Sequence, residues 1–417
     1  MLNSTSITFQ MKREILSFSN KISKKLSKPD KKFTADITYG ILASGSCLLT
    51  DVVDRLHEKA KKVNAVDRLT KHLNKGVPKT SLKSYLSLVR SMVPPEPVIF
   101  IDDSDVTKPD GKHFESLGIV RDGSKSSDTK NVYEKGYHVT EACTLSKSGH
   151  PISIFSEIHS SREKNFTSVN DITFRAIETG CSLFQKATFV MDRGYDDNKM
   201  FLKLDSMEQD YVIRLTAKRK LLFHNKWIPA TRLKNQRKGK LKASFFYKGK
   251  NHDAYLSHVK VQITAAKKDI YLILVYGLCE HPMMLATNKV ICSKEDVVKV
   301  ARLYSSRWKI EEYFRSKKQL FQFENFRVRK LCAINALNFY ITLCMAFLAR
   351  LSTKPETNAL IVAIIKNADP VKEKVRFRYY RLAKGVLGIL SYAKTGIRPW
   401  FRTKRPAYRQ LCLKLVI

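Results

Sequence analysis

The stretch YSSRWKIEEYFRSKK, residues 304–318, combines a helical apolar period with an unusual set of polar residues. Ser293 followed by Asp296 has the form of a capping box, and neither Pro nor Gly occurs between Ser293 and Lys330, so one long helix is expected. At about 100° per residue, Tyr304, Arg307, Glu311 and Lys318 fall within an arc of roughly 60° on one face. Trp308 and Arg315 extend that face, while Leu303, Ile310, Phe314 and Phe321 form an apolar stripe beside it. Glu312 lies about 100° further round than Glu311. A solvated helix of mixed charge is the simpler reading, but it has little use for a Tyr and a Trp among its ions. One carboxylate among cations and aromatics, beside a buried face, points to an acid that reaches a phosphate-rich ligand.

Net charge points the same way. The 417 residues include 76 Lys and Arg against 38 Asp and Glu, a formal charge of +38. An excess of this size favours a polyanion, above all nucleic acid, over a ribosomal-type structural role or a merely basic enzyme. No compact amphipathic basic helix or lipidation signal stands out, so a membrane partner is not expected. The eight cysteines form no C-x-x-C pair and do not cluster with His, which reads as reduced thiols of a cytoplasmic protein. The N-terminus has no long apolar run and is not read as a secretory signal. The apolar run Ala336–Ala349 contains Asn338 and stops at Arg350, so it reads as a buried helix.

Taken in order, the chain changes texture several times. Residues 1–32 read as a loosely ordered basic arm and a helix around the amphipathic stretch Met11 to Phe18, and residues 34–93 as short helices with a break at Gly45-Ser46, a C-cap at Gly76 and a last helix, Ser81 to Met92, closed by Pro94-Pro95. After Pro94-Pro95, PVIFIDDSD is a strand ending in acids; a hairpin turning near 146–149, a helix over 168–178 and the strand ATFVMDRGYDD follow. These elements describe an α/β sheet with acids at strand ends. From Tyr211 to Met284 the pattern is strand-like throughout, an inserted β-rich block. Residues 352–417 are helical and basic, ending in RPWFRTKRPAYRQLCLK, either a DNA- or partner-binding arm or a poorly ordered end. The resulting segments are 1–95 (helical, DNA-binding), 96–204 (first part of the core), 205–290 (β-rich insertion), 291–351 (second part, with the Glu-bearing helix) and 352–417.

Two strands end in acids, Asp102 with Asp103 and Asp105, and Asp192 with Asp196 and Asp197. The rim of an α/β sheet at strand ends is where ligands bind. With Glu311 they form a candidate cage for Mg²⁺, which prefers hard oxygen donors and serves phosphate chemistry. Arg307 is suited to a forked phosphate contact and Lys318 to a point-charge contact. Tyr304 can donate to a phosphate oxygen, and Trp308 can stack on an unstacked base or fill a groove. Arg193 and Lys108 are further rim cations.

These residues resemble the bacterial insertion-sequence DDE transposases of the IS-four type, defined by a Tyr-x2-Arg-x3-Glu-x6-Lys signature. Tyr304, Arg307, Glu311 and Lys318 stand at those spacings without a departure. IDDSD is similar to the group's D-x-(Ser/Thr) motif, which selects Asp102 through Ser104, with Asp103 the choice if the register shifts by one. VMDRGYDD is similar to its Asp-Arg-Gly-(Tyr/Phe) motif and selects Asp192. The resemblance covers roughly residues 95–350 and leaves both ends unmatched.

The resemblance implies an RNase H-like catalytic core interrupted by the β-rich insertion; the 118 residues between Asp192 and Glu311 leave room for it. It also implies that Asp102, Asp192 and Glu311 hold two Mg²⁺ or Mn²⁺ ions. The activity implied is nicking at the ends of a DNA element and strand transfer into target DNA, with a hairpin on the element's end as the common route of such proteins, by a homodimer on double-stranded DNA. A DNA-binding descendant that no longer cuts, and an RNase H-like nuclease without transposition, are the alternatives.

Overall fold

The computed structural model describes residues 4–123, 125–127, 129–247, 250–370 and 378–398. The helix expected around Met11 to Phe18 is longer than read and takes in much of the arm expected to be loose: α1 (Ser4–Ile22). Met11, Ile15, Phe18 and Ile22 recur at helical spacing and are at most 1% exposed. α2 (Lys28–Ser44) begins at the N-cap Ser27 and stops at Gly45, whose φ of 64° supplies the left-handed C-cap. α3 (Leu49–Leu56), α4 (Lys62–Leu73) and α5 (Lys79–Met92) complete the anticipated run of short helices.

The sheet starts with β1 (Val98–Thr107), β2 (Gly118–Arg121), β3 (Tyr133–Leu145) and β4 (Pro151–His159), the last two joined by the hairpin read at 146–149. α6 (Val169–Leu183), β5 (Thr188–Met191), α7 (Asn198–Ser206) and β6 (Asp210–Arg214) follow. β3 lies between β1 and β4 and runs antiparallel to both, and β5 and β6 run parallel to β1, giving the order β4-β3-β1-β5-β6. β2 pairs only with the start of β3.

The strand-rich block contributes β7 (Lys220–Phe223), β8 (Lys226–Pro229), α8 (Ala230–Gln236), β9 (Leu241–Tyr247), β10 (Lys250–Ile263), β11 (Lys268–Tyr276) and β12 (Met283–Thr287). Rather than forming a sheet of its own, it extends the first one. β12 pairs with β6, and the path continues through β11, β10, β7 and β8, with β9 on β10, to twelve strands.

Where one long helix was expected there are two, α9 (Lys294–Ser305) and α10 (Trp308–Phe321). The capping box at Ser293 and Asp296 is present. The break falls at two serines: Ser305 Oγ donates to the Ala301 carbonyl at 2.9 Å and Ser306 Oγ to that of Leu303 at 2.7 Å. Such side-chain bonds compete with the helical ladder and do without Pro or Gly. α11 (Leu331–Ser352) is apolar on all sides and lies between β4 and helices of the N-terminal region. Among the described residues it is the one helix long and apolar enough to cross a membrane, and most of it is buried in the protein. α12 (Ala359–Lys366) and α13 (Tyr379–Ser391) pack back on α1 and α2. The basic end from Pro399 onward lies outside the described residues.

Gly180 of α6 lies so close to β1 that an added Cβ would be 2.8 Å from Ile99 Cδ1, so α6 covers the face of Ile99. Side chains alternate along a strand, which turns Asp102 to the opposite face, that of α10.

Candidate active site

Asp102 ends the buried run Ile99–Phe100–Ile101 of β1. Arg307, at the break between α9 and α10, places Nη1 2.6 Å from Asp102 Oδ2. Its Nη2 pairs with Glu311, one turn further along α10. Tyr304, the penultimate residue of α9, donates its hydroxyl to Asp192 Oδ1 at 2.9 Å. Asp192 follows directly after β5. Three acids from three elements thus meet around one guanidinium and one phenol. Lys318 Nζ lies 3.1 Å from Glu324 and 3.7 Å from Asp105 on the same strand as Asp102.

The acids are electrostatically unequal. Burial pushes the Asp102 carboxyl up to about 7; Arg307 opposes this, while Asp103, Asp192 and Glu311 add to it. Burial also works to raise Asp192, but Arg307, the Arg193 N–H, the Tyr304 hydroxyl and Arg214 together hold it below the usual carboxylate range. Burial raises Tyr304, and the charge of Asp192 adds to that. Arg307 is held charged by Asp102 and Glu311 despite its own burial.

The remaining candidates separate. Asp103 points to the other face, where its carboxylate accepts from Thr140 Oγ1 at 2.5 Å, and Thr140 Oγ1 is 2.9 Å from His159 Nε2. Arg193 is exposed in the short 3-10 turn Arg193–Tyr195. Arg315 pairs with Glu312. Lys108, read as a rim cation, instead donates to the carbonyls of Glu324 and Phe326 and sits 3.8 Å from the centre of the Phe326 ring. It fastens the turn after α10, and burial lowers its pKa to about 8.

Trp308 opens α10 and lines a cavity of about 460 Å³ together with Arg214, Phe246, Met283 and Glu311. Arg214, Phe246 and Met283 were not among the expected site residues. They belong to β6, β9 and β12, and nothing in YVIR or SFFY marks them except an Arg closing a strand. Pairing of β12 with β6 carries the block to the cavity, with Leu285 opposite Arg214.

As hard oxygen donors, Asp102, Asp192 and Glu311 suit a divalent ion such as Mg²⁺. Their mutual repulsion, part of what raises Asp102, is what a cation would relieve. Here the guanidinium of Arg307 supplies the positive charge. Among the described residues no group of three or more His, Cys, Asp or Glu side chains is close enough together to hold an ion. The donor chemistry fits, provided that Arg307 releases Asp102 and Glu311.

A family model described as the transposase DDE domain matches residues 93–347, more than half of the chain. The match begins just before β1, ends within α11 and includes all three acids. The chain belongs to this family: it is a DDE transposase, of a class that acts on DNA and generally uses divalent metal ions. No curated protein matches the chain.

Proposed function

We propose that this protein is an insertion-sequence transposase of the Tyr-Arg-Glu-Lys group, with Asp102, Asp192 and Glu311 as its catalytic carboxylates. The observation that carries this reading is the meeting of the signature with acids of two neighbouring strands, Asp102 within β1 and Asp192 just after β5: Arg307 bridges Asp102 and Glu311, and Tyr304 bonds Asp192. A helix face of unrelated origin has no reason to match two strands distant in sequence residue for residue. The order β4-β3-β1-β5-β6, antiparallel and then parallel, supports an RNase H-like core.

Bound at these carboxylates, Mg²⁺ or Mn²⁺, two ions in this reading, would activate a water or hydroxyl and stabilise the leaving oxygen of a phosphodiester. The chain's own residues supply the grip. Arg307, once released from its carboxylates, has the planar fork for two phosphate oxygens. Tyr304 orients Asp192, and Lys318, beside Asp105 three residues along β1 from Asp102, offers a point charge. Trp308, with Phe246 and Met283, gives the cavity an apolar wall against which a base can stack. In this reading residues 1–95 bind DNA and residues 205–290 are the insertion. The enzyme acts as a homodimer in the cytoplasm on element ends and target DNA, and a hairpin step is compatible with the cavity.

The test uses the DNA that flanks the coding sequence. Wild type should nick it in Mn²⁺ or Mg²⁺, and Asp192→Asn or Glu311→Gln should lower nicking at least 1,000-fold (order of magnitude for a lost metal ligand) while keeping DNA affinity within a few-fold. Undiminished nicking by either variant would falsify the site assignment.

A further inference from the structure

Between Tyr211 and His252 the chain has 13 Lys and Arg and no Asp or Glu over 42 residues. An even spread of its 38 acids would put about four there. The middle of this stretch is fastened down. Tyr276 Oη lies 2.9 and 2.8 Å from the carbonyl oxygens of Lys234 and Arg237, and Arg237 Nη1 donates to the His258 carbonyl at 3.1 Å. Gly239 lies against Tyr255 so tightly that an added Cβ would sit 2.5 Å from Tyr255 Cβ. The connection from α8 to β9 is therefore a built ledge on β10 and β11.

Its cations face solvent. Arg232, Lys238, Lys240 and Lys242 are exposed, and Tyr255, opposite Lys242 in register, is 46% exposed. Of these four cations, Lys242 alone has an acidic partner among the described residues, the exposed Asp253 at 2.7 Å. Four like charges held together by backbone anchoring repel one another, and a row of phosphates relieves that repulsion.

β9 joins the ledge to the candidate active site. Phe246, near the end of β9, lines the same cavity as Glu311, and Lys242 lies four residues back, about 14 Å at the rise of a strand. Lys238 is four residues further, at most about 27 Å from the cavity. Duplex DNA advances about 3.4 Å per base pair, so these distances correspond to about four to eight base pairs.

We propose that the ledge residues Lys238, Lys240 and Lys242 grip the backbone of duplex DNA about four to eight base pairs from the scissile bond. This is a contact separate from the phosphate grip at Arg307 and Lys318. The distance rests on the cleavage reading above; the binding does not.

The experiment compares wild type with K238Q/K240Q/K242Q, titrated without metal with a labelled 20-base-pair duplex at several salt concentrations. Each lost phosphate contact flattens the plot of log affinity against log salt by about 0.9, so the slope should fall by about 2.7. Affinity at 0.15 M salt should fall on the order of 100-fold by the same relation. An unchanged slope overturns the proposal. Should the triple variant melt early, K240Q alone is read instead, with an expected slope change of about 0.9. Failure of wild type to nick its flanking DNA would overturn the catalytic reading and leave this comparison standing, since it needs neither metal nor chemistry.

Discussion

Lys317 and Glu141 form an ion pair shut off from water: Nζ lies 3.0 Å from Oε2, and the two side chains are 1% and 0% exposed. The pair ties α10 to β3, and Glu141 stands opposite Asp102 in the register of β3 with β1, on the same face of the sheet. Ser156 Oγ is 3.2 Å from Lys317 Nζ and donates to Glu141, while Asn338 of α11 donates to Ser156 at 2.8 Å. The network thus fixes the helix that carries Glu311 and Lys318 against the strand beside Asp102. Lys317→Met should destabilise the fold by about 3–5 kcal/mol, because it strands a buried carboxylate. Lys317→Met with Glu141→Leu should recover most of that loss. Urea unfolding of the two variants and wild type checks this; equal loss in the single and double variants would count against the ion pair as the cause.

Much of this arrangement could be read in advance, and the exceptions share a physical origin. The short helices before Pro94, the strand end at Asp192, the capping box at Ser293 and the buried helix at Ala333 to Leu351 follow local rules of period, turn and cap, whereas the strand read as ending at Asp102 runs on to Thr107, still paired with β3. The signature residues are brought together by ion pairs and a hydrogen bond: Tyr304 to Asp192, Arg307 to Asp102 and Glu311, and Lys318 to Asp105. What escaped depended on contacts between distant segments. Lys317 looks like one more cation in RSKK, and only Glu141 on a strand far back in sequence makes its burial tolerable. The union of β6 with β12, which brings Arg214, Phe246 and Met283 to the cavity, is a pairing that no alternation pattern specifies. The full length of α1 escaped because its apolar stripe is short and its partners lie in α2 and the C-terminal helices.

Acid should loosen the sheet through two histidines. Burial lowers the pKa of His150 to about 4, with Arg378 and Lys309 adding to the shift. It does the same for His159, where His138 and Arg175 contribute. The unfolded chain binds these protons near pH 6.5, and the folded chain resists them until about pH 4. Stability from both groups is therefore complete above about pH 6.5, falls as pH drops towards 4, and falls no further below it. Each shift corresponds to about 3 kcal/mol at most. Asp102, pushed up to about 7, gains stability over the same window, so the histidine contribution is read as a difference. The urea midpoint of His150→Gln relative to wild type should rise as pH falls from about 6.5 to 4, and a difference that stays constant over this range would rule out the buried neutral state of that ring.

The two serines between Tyr304 and Arg307 set the angle at which the signature residues meet their acids. In an unbroken helix Tyr304 and Glu311 would share one face with about 10 Å of axial separation. The break between α9 and α10 instead lets Tyr304 reach Asp192 while Arg307 and Glu311 turn to Asp102. Ser305 and Ser306 support it through their bonds to the Ala301 and Leu303 carbonyls. Replacing both with Ala removes those bonds and raises helix propensity by about 0.5 kcal/mol per site, so fold stability should change by less than about 1 kcal/mol. Metal-dependent nicking should nevertheless fall at least tenfold, since pre-set geometry of the acids is what a metal site demands and a displacement of about 1 Å can cost about 100-fold. A double variant that unfolds like wild type and also nicks like wild type would show that the site residues themselves, through Arg307 and Tyr304, hold the angle without the serines.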